Sequence, residues 1–339
     1  MARGIRATRF GISHRKGDRE TVNARGARFI ALPREAPCKR SALRELRSSR
    51  RGNVGNMSAA PMPVSAPAKV QYDVGIEIGG MAVRVRTDDP SFVCLLERRY
   101  SGFISHPQNA EYQFEVELSA PQGIDPEEDV RVERGTAGIW KLMRGDFRAE
   151  WHPDSRSGWI RQTANPYSID AVLRIVHSLV LARQGGFLVH AASAVRNGRA
   201  FLFSGRSGAG KTTISRLAPP DATLLTDEIS YVRKAEGSAA GIEGYVAFGT
   251  PFTGELAKLG ENVKAPIETL YLLAQGPENR VEPISAAEAS RALLGNILFF
   301  AKDPELTEML FLSAFEFIER VPVKRLTFRP DATVWELVR

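Results

Sequence analysis

Apolar and polar residues alternate through YDVGIEIGGMAVRVRT (72–87), and the alternation turns around Gly79-Gly80. That pattern predicts a β-hairpin. Over 89–103 the spacing becomes helical, with Phe92, Leu95, Leu96 and Tyr100 on one face and Asp89 or Ser91 placed to cap it. Short strands are predicted at 112–119, 130–134, 138–145, 147–152 and 158–163, so 70–165 reads as a small strand-rich module. A helix is predicted over 166–186, with Val172, Leu173, Val176, Leu179 and Val180 as its apolar stripe. Ser168 is its expected cap, and Gly185-Gly186 its stop.

Two strands, 187–195 and 199–205, flank Asn197-Gly198, the strongest short hairpin signal. A helix then begins near Lys211 and breaks at Pro219-Pro220. The run 222–232 reads as a strand ending in Asp227-Glu228. A strand follows at 268–276, helices at 285–302 and 303–321, and a last strand at 323–330. Helices around a central sheet make the fold class α/β. No internal repeat is present. The organisation expected is a basic extension and linker over 1–69, the strand-rich module over 70–165, and a nucleotide-binding domain over 166–339.

Charge changes the picture at one end. The chain carries +7 overall, but residues 1–60 hold fifteen basic side chains against four acidic ones, net +11, which leaves the rest at −4. A basic tail can meet nucleic acid or an anionic membrane. With little periodicity and many Ser, Gly and Pro, it reads instead as a disordered, solvated extension. No nucleic-acid partner is expected, and Met57 or Met62 is an alternative start. The Pro/Ala/Ser-rich stretch 58–69 reads as a linker.

At 43% hydrophobic and 25% charged, the chain has the composition of a soluble protein. No run approaches the roughly 18–20 apolar residues that span a bilayer, and the N-terminus lacks the apolar core of a secretory signal. Cys38 and Cys94 could pair, but two cysteines make no disulfide framework. A cytoplasmic location is expected.

The chemistry concentrates after the strand AFLFS. Gly205, Arg206, Ser207, Gly208, Ala209, Gly210, Lys211, Thr212 and Thr213 form a Walker A sequence between a strand and a helix. Its glycines let backbone N–H groups converge on an anion, and the start of the helix adds a positive dipole end. Lys211 is placed to reach the β and γ phosphates of ATP, and the Thr212 hydroxyl to ligate Mg²⁺. Asp227 lies sixteen positions after Lys211 and is the candidate acid for the metal, with Asp227 or Glu228 as the base. An exposed acidic pair at a strand end is the bland alternative. His190 sits in the strand before the loop strand, where a packed core histidine is the ordinary reading.

LVHAASAV, FLFSGRSGAGKTT, LLTDEISYV and FGTPFTGE together resemble the HPr kinase/phosphorylase-like family, and more closely its bacterial HPr-kinase-related members. The resemblance is strong over 187–256 and loose on either side. It implies a P-loop core like the HPr kinase C-terminal domain and the ATP-dependent phosphoenolpyruvate carboxykinases. It also implies that His190 belongs to the active site, that Asp227 pairs with it, and that the following acid activates a protein serine. That second acid is Glu228 here, where the family has aspartate, and Thr212 stands where the family has serine. By the same resemblance Gly249 and Pro251 shape a turn, and Thr250 and Glu255 face the site or the nucleotide; a turn with a polar rim is the equal alternative. Such kinases form homo-oligomers. The C-terminal signature with which they recognise HPr is missing, which argues against HPr itself as the acceptor.

The expected activity is therefore an ATP-dependent kinase acting on a Ser/Thr of a protein or peptide, or on a small molecule. An ATP-hydrolysing switch or assembly factor, with 70–165 binding a partner, is the second reading. A nucleotide sensor without turnover is the third. Neither an ABC-transporter signature nor the guanine-reading N-K-x-D motif occurs.

Overall fold

The computed structural model describes residues 70–120, 129–235 and 244–339. The extension over 1–69, Cys38 and the alternative starts lie outside the described residues. The fold is mixed α/β, with two large sheets.

Strands β1 (Tyr72–Ile78) and β2 (Met81–Thr87) form the expected hairpin. Its turn holds Gly79 at φ 64° and Gly80 at φ 72°. A Cβ at Gly79 would sit 2.4 Å from the Tyr231 ring, so both the left-handed backbone and this close approach demand glycine. Helix α1 (Pro90–Arg99) follows, with the Asp89 carboxylate accepting from the N–H groups of Ser91 and Phe92. Then come β3 (Ile104–Ser105), β4 (Tyr112–Leu118), β5 (Arg131–Arg134), β6 (Trp140–Arg144), β7 (Phe147–His152) and β8 (Ser157–Gln162). They complete an eight-stranded sheet in the order β3-β1-β2-β4-β8-β7-β6-β5.

Helix α2 (Pro166–Arg183) starts differently from expectation. Asn165, not Ser168, is its cap, accepting from Tyr167 N–H at 2.9 Å and Ser168 N–H at 3.1 Å. Pro166 fixes the first helical position, which leaves Ser168 inside the first turn. Its hydroxyl instead donates to Asp146 at 2.7 Å.

The second sheet is built from β9 (Phe187–Arg196), β10 (Arg199–Ser204), β11 (Thr223–Thr226), β12 (Ile229–Lys234), β13 (Tyr245–Phe248), β14 (Lys264–Gln275), β15 (Arg280–Pro283), β16 (Ile297–Leu298) and β17 (Val323–Phe328). Interleaved with them are α3 (Lys211–Arg216), α4 (Ala286–Leu294) and α5 (Pro304–Arg320). Long strands β9 and β14 each change partner along their length. β9 pairs with β12 over 187–190 and with β10 over 191–196. β10 also pairs with β14 in parallel, which closes β10, β9, β12, β13 and β14 into a ring of pairings.

The helix expected over 285–302 ends at Leu294. The Asn296 carbonyl accepts from His190 N–H at 2.8 Å, and Ile297 and Leu298 pair with Val189 and Leu188. The free edge of β9 thus captures backbone that the pattern alone assigns to the helix.

One apolar cluster joins both sheets through α1, α2 and α5, with Tyr100, Phe103, Trp151, Leu173, Phe187 and Phe317 among its members. A second cluster fills the other face of the second sheet, around Phe203, Tyr271, Phe328 and Trp335. There Trp335 Nε1 donates to the Ile214 carbonyl at 3.1 Å, which satisfies one of the orphan carbonyls at the end of α3.

Candidate functional site

β10 ends at Ser204, and the glycine loop turns the chain into α3. Three contacts shape it. A Cβ at Gly205 would lie 2.7 Å from the Ala209 Cβ, so the loop folds tightly on itself. Gly210 has φ 109°, and a Cβ there would lie 2.6 Å from the Phe328 ring at the end of β17. Gln275, the last residue of β14, donates to the Gly208 carbonyl at 2.6 Å. Residues 206–208 are exposed at the tip.

Lys211 lies beneath the loop, only 9% exposed, and its ammonium donates to the Gly205 carbonyl at 2.9 Å and the Arg206 carbonyl at 3.4 Å. Burial lowers its pKa, and Glu228 and Glu255 oppose that. Helix α3 has six residues, so its dipole is short. Anion binding here would rest on the loop N–H groups and Lys211. Thr212 and Thr213, in the first turn, are part-buried.

Asp227 and Glu228 occupy the corner between β11 and β12, since 222–232 is two strands rather than one. The Thr226 hydroxyl makes that corner by accepting from the N–H groups of Glu228 and Ile229, each at 3.2 Å. Asp227 is 3% exposed, and its two oxygens accept from Gly254 N–H and Leu256 N–H, both at 2.8 Å. A solvent-exposed acidic pair is thereby excluded. The Glu228 carboxyl is part-buried, and burial pushes its pKa up, against the pull of Arg174.

His190 pairs with Ile229 in the β9–β12 ladder. Burial, then the charge of Lys211, pushes its imidazole down to about 4, so it is neutral at pH 7. Among the described residues no hydrogen bond joins it to Asp227, whose oxygens hold the 254–256 backbone instead. In the GTPFTGE turn, Thr250 is fully buried and donates to the Ile229 carbonyl at 3.2 Å, so it braces the corner rather than facing the site. Glu255 acts electrostatically on Lys211. A Cβ at Gly249 would lie 1.7 Å from the Glu261 carbonyl oxygen, and that crowding requires glycine.

Sequence reading missed a charged cluster beside the acids. Asp170 on α2 is 2% exposed. It accepts from Arg99 at 3.2 and 2.6 Å and from the Tyr100 hydroxyl at 2.5 Å. Arg99 also donates to the Pro251 carbonyl at 2.9 Å. Arg174, one turn along α2, lies over Phe252, its Cζ 4.5 Å from the ring centroid. The available signal was a charged i,i+4 pair inside an otherwise apolar helix.

The oxygen donors of Thr212 and Asp227 are of the kind that Mg²⁺ takes. Mg²⁺ keeps several waters and takes one or two carboxylates plus phosphate oxygens. Each Asp227 oxygen keeps a lone pair after its backbone bond. Among the described residues no group of three His, Cys, Asp or Glu forms a cage. None of their helices is long and apolar enough to cross a membrane.

The family model described as SynChlorMet cassette protein ScmC matches residues 161–338, and the chain belongs to that family. No curated protein matches it. Among solved structures it is similar to the Hpr(Ser) kinase/phosphatase from Coxiella burnetii, at 15% identity, covering 39% of this chain and 90% of that one with a TM-score of 0.21. A likeness that slight fixes neither fold nor function.

Proposed function

We propose that this member of the ScmC family is an ATP-dependent phosphotransferase. In this reading, a P-loop core of the HPr kinase type moves the γ-phosphoryl group of ATP to a hydroxyl. The observation that carries it is the buried Lys211 ammonium beneath a glycine loop, within electrostatic reach of Glu228 and His190. Phosphoryl transfer asks mainly for positioning and charge neutralisation, and this group can supply both.

The backbone of 205–213 and Lys211 hold the phosphates. Thr212 and Asp227 would hold Mg²⁺, which would supply charge neutralisation to the phosphates. The neutral His190 is a hydrogen-bond donor to the γ-phosphoryl group, since an imidazole titrating near 4 is a weak base at pH 7. Glu228 is the base. Burial raises its pKa, so it holds a proton better than an exposed carboxylate. The acceptor oxygen forms a bond to phosphorus and its proton passes to Glu228. The bond from phosphorus to the β–γ bridging oxygen breaks, and ADP leaves with that electron pair.

The test is the fate of label from γ-labelled ATP, with Mg²⁺ and an acceptor mixture, in the wild-type chain and Glu228→Gln. Label on a hydroxyl, reduced about 10²- to 10⁴-fold in the variant, is the expected result. Label found only as free phosphate rejects a phosphotransferase in favour of an ATP-hydrolysing switch.

A further inference from the structure

Among the described residues Arg174 makes no salt bridge, and Glu228 acts on it only through charge. Arg174 lies four residues after Asp170 on α2, the favoured spacing for an ion pair along a helix. That partner is taken. Arg99 donates twice to the Asp170 Oδ2, and the Tyr100 hydroxyl donates to Oδ1. The two neighbouring arginines therefore differ. Arg99 has a carboxylate and a carbonyl, whereas Arg174 Nε is fully buried with no hydrogen-bond partner among the described residues.

A guanidinium carries five N–H donors in a rigid fork, and leaving buried ones unmade is costly. Such a group calls for a physical reason. Packing gives a partial one, since the guanidinium lies 4.5 Å from the Phe252 ring centroid.

The position gives the rest. Phe252 is tied to the acid corner, its carbonyl accepting from the Thr226 hydroxyl at 3.3 Å. The same turn delivers the N–H groups of Gly254 and Leu256 to Asp227. Glu228 interacts electrostatically with Lys211 and with Arg174, so it stands within range of the nucleotide-side lysine and of this arginine. The residue stays part-exposed although its Nε is fully buried, so a ligand would meet the terminal guanidinium nitrogens and not Nε.

We propose that Arg174 is the anion anchor of the acceptor side: the molecule phosphorylated carries a carboxylate close to its reacting hydroxyl, and the Arg174 fork binds that carboxylate while Glu228 takes the hydroxyl proton. The inference rests on the phosphotransferase reading and narrows it to hydroxyl acceptors that are also acids. Two sources offer this chemistry. One is a free hydroxy or amino acid. The other is a serine or threonine next to Asp or Glu in a peptide.

The experiment uses the full chain with Mg²⁺ and γ-labelled ATP, and acceptors matched in shape but not in charge. One arm compares L-serine with L-serinamide. The other compares serine peptides flanked by Asp or Glu with the same peptides carrying Asn or Gln. In one arm the acid should be labelled about 10- to 100-fold more efficiently than its amide, the scale of one charge-assisted bidentate contact. Arg174→Gln should erase that preference, mainly by raising KM for the acid. Arg174→Lys should restore part of it, because charge returns without the fork.

Affinity for Mg·ATP, measured alongside, shows whether the nucleotide half is intact in each variant. If Arg174→Gln does not fold, the acid-to-amide ratio of the wild-type chain decides alone. Equal labelling of acids and amides, or a preference that survives in Arg174→Gln, overturns the anchor and leaves the phosphotransferase standing. Free phosphate with no acceptor labelled in either arm overturns both. The arm that labels identifies the source of the carboxylate.

Discussion

Asp227 and Glu228 are neighbours in sequence, yet removing the charge from each should have opposite effects on stability. The Asp227 carboxylate is buried and accepts two backbone N–H groups at 2.8 Å. Asp227→Asn keeps one acceptor oxygen and turns an NH₂ group toward the other donor. One charge-assisted bond is lost, worth about 1.5–3 kcal/mol, and a backbone N–H is left facing a donor. A loss of about 3 kcal/mol is expected, with the 254–256 turn loosened.

Glu228 is the reverse case. Its pKa is raised in the folded state by burial, so the folded chain holds that proton more tightly than the unfolded chain. Stability from this group is present at low pH and is lost as pH rises through the folded pKa, which makes ionised Glu228 a cost at pH 7. Glu228→Gln should therefore be neutral or stabilising by up to about 1 kcal/mol, at the expense of turnover. Urea unfolding at pH 7 with unchanged m-values reads both. Asp227→Asn within about 0.5 kcal/mol of wild type, or Glu228→Gln losing as much as Asp227→Asn, would falsify this division between a carboxylate that the fold stabilises as an anion and one that it does not.

Other consequences are equally direct. Gly210→Ala places a Cβ 2.6 Å from the Phe328 ring at φ 109°, so it should cost about 1–3 kcal/mol in thermal or urea unfolding and weaken nucleotide binding; a silent substitution would contradict the loop geometry. His177 is 1% exposed, bonds through Nδ1 to the Tyr231 hydroxyl at 2.8 Å, and is pushed down to about 3 from 6.5 by burial, then by Arg233. Its folded pKa is depressed, so its contribution is intact above pH 6.5 and is lost as pH falls toward 3. Between pH 7 and 5 that loss is about 2 kcal/mol. His177→Asn should flatten the stability–pH curve by that amount, and an unchanged slope would show that the ring is not held neutral.

The strands of the first sheet were legible because each alternates against one buried face, as in YQFEVEL, where Tyr112, Phe114 and Val116 point inward. The loop and its flanking strand and helix were legible for a local reason too: glycine spacing and the lysine after it are sequence-adjacent. What failed was non-local. The helix over 285–302 stops where the β9 edge takes its backbone, and nothing within that window reports on β9. The cap at Asn165 was overlooked because Ser168 competes for the same role, and Pro166 decides between them. Asp227 showed as an acid, but not that loop 254–256 would occupy both of its oxygens. The Arg99–Asp170 contact spans 71 positions, so only the fold could show that it leaves Arg174 without its helix partner.

The central claim is that Lys211 and its loop hold a nucleoside triphosphate. Equilibrium titration of Mg·ATP into the full chain and into Lys211→Ala tests it most directly. Saturable one-to-one binding, weakened at least about tenfold in the variant by loss of a charge-assisted contact, is the predicted result. No binding by the wild-type chain, or equal affinity in Lys211→Ala, would contradict it.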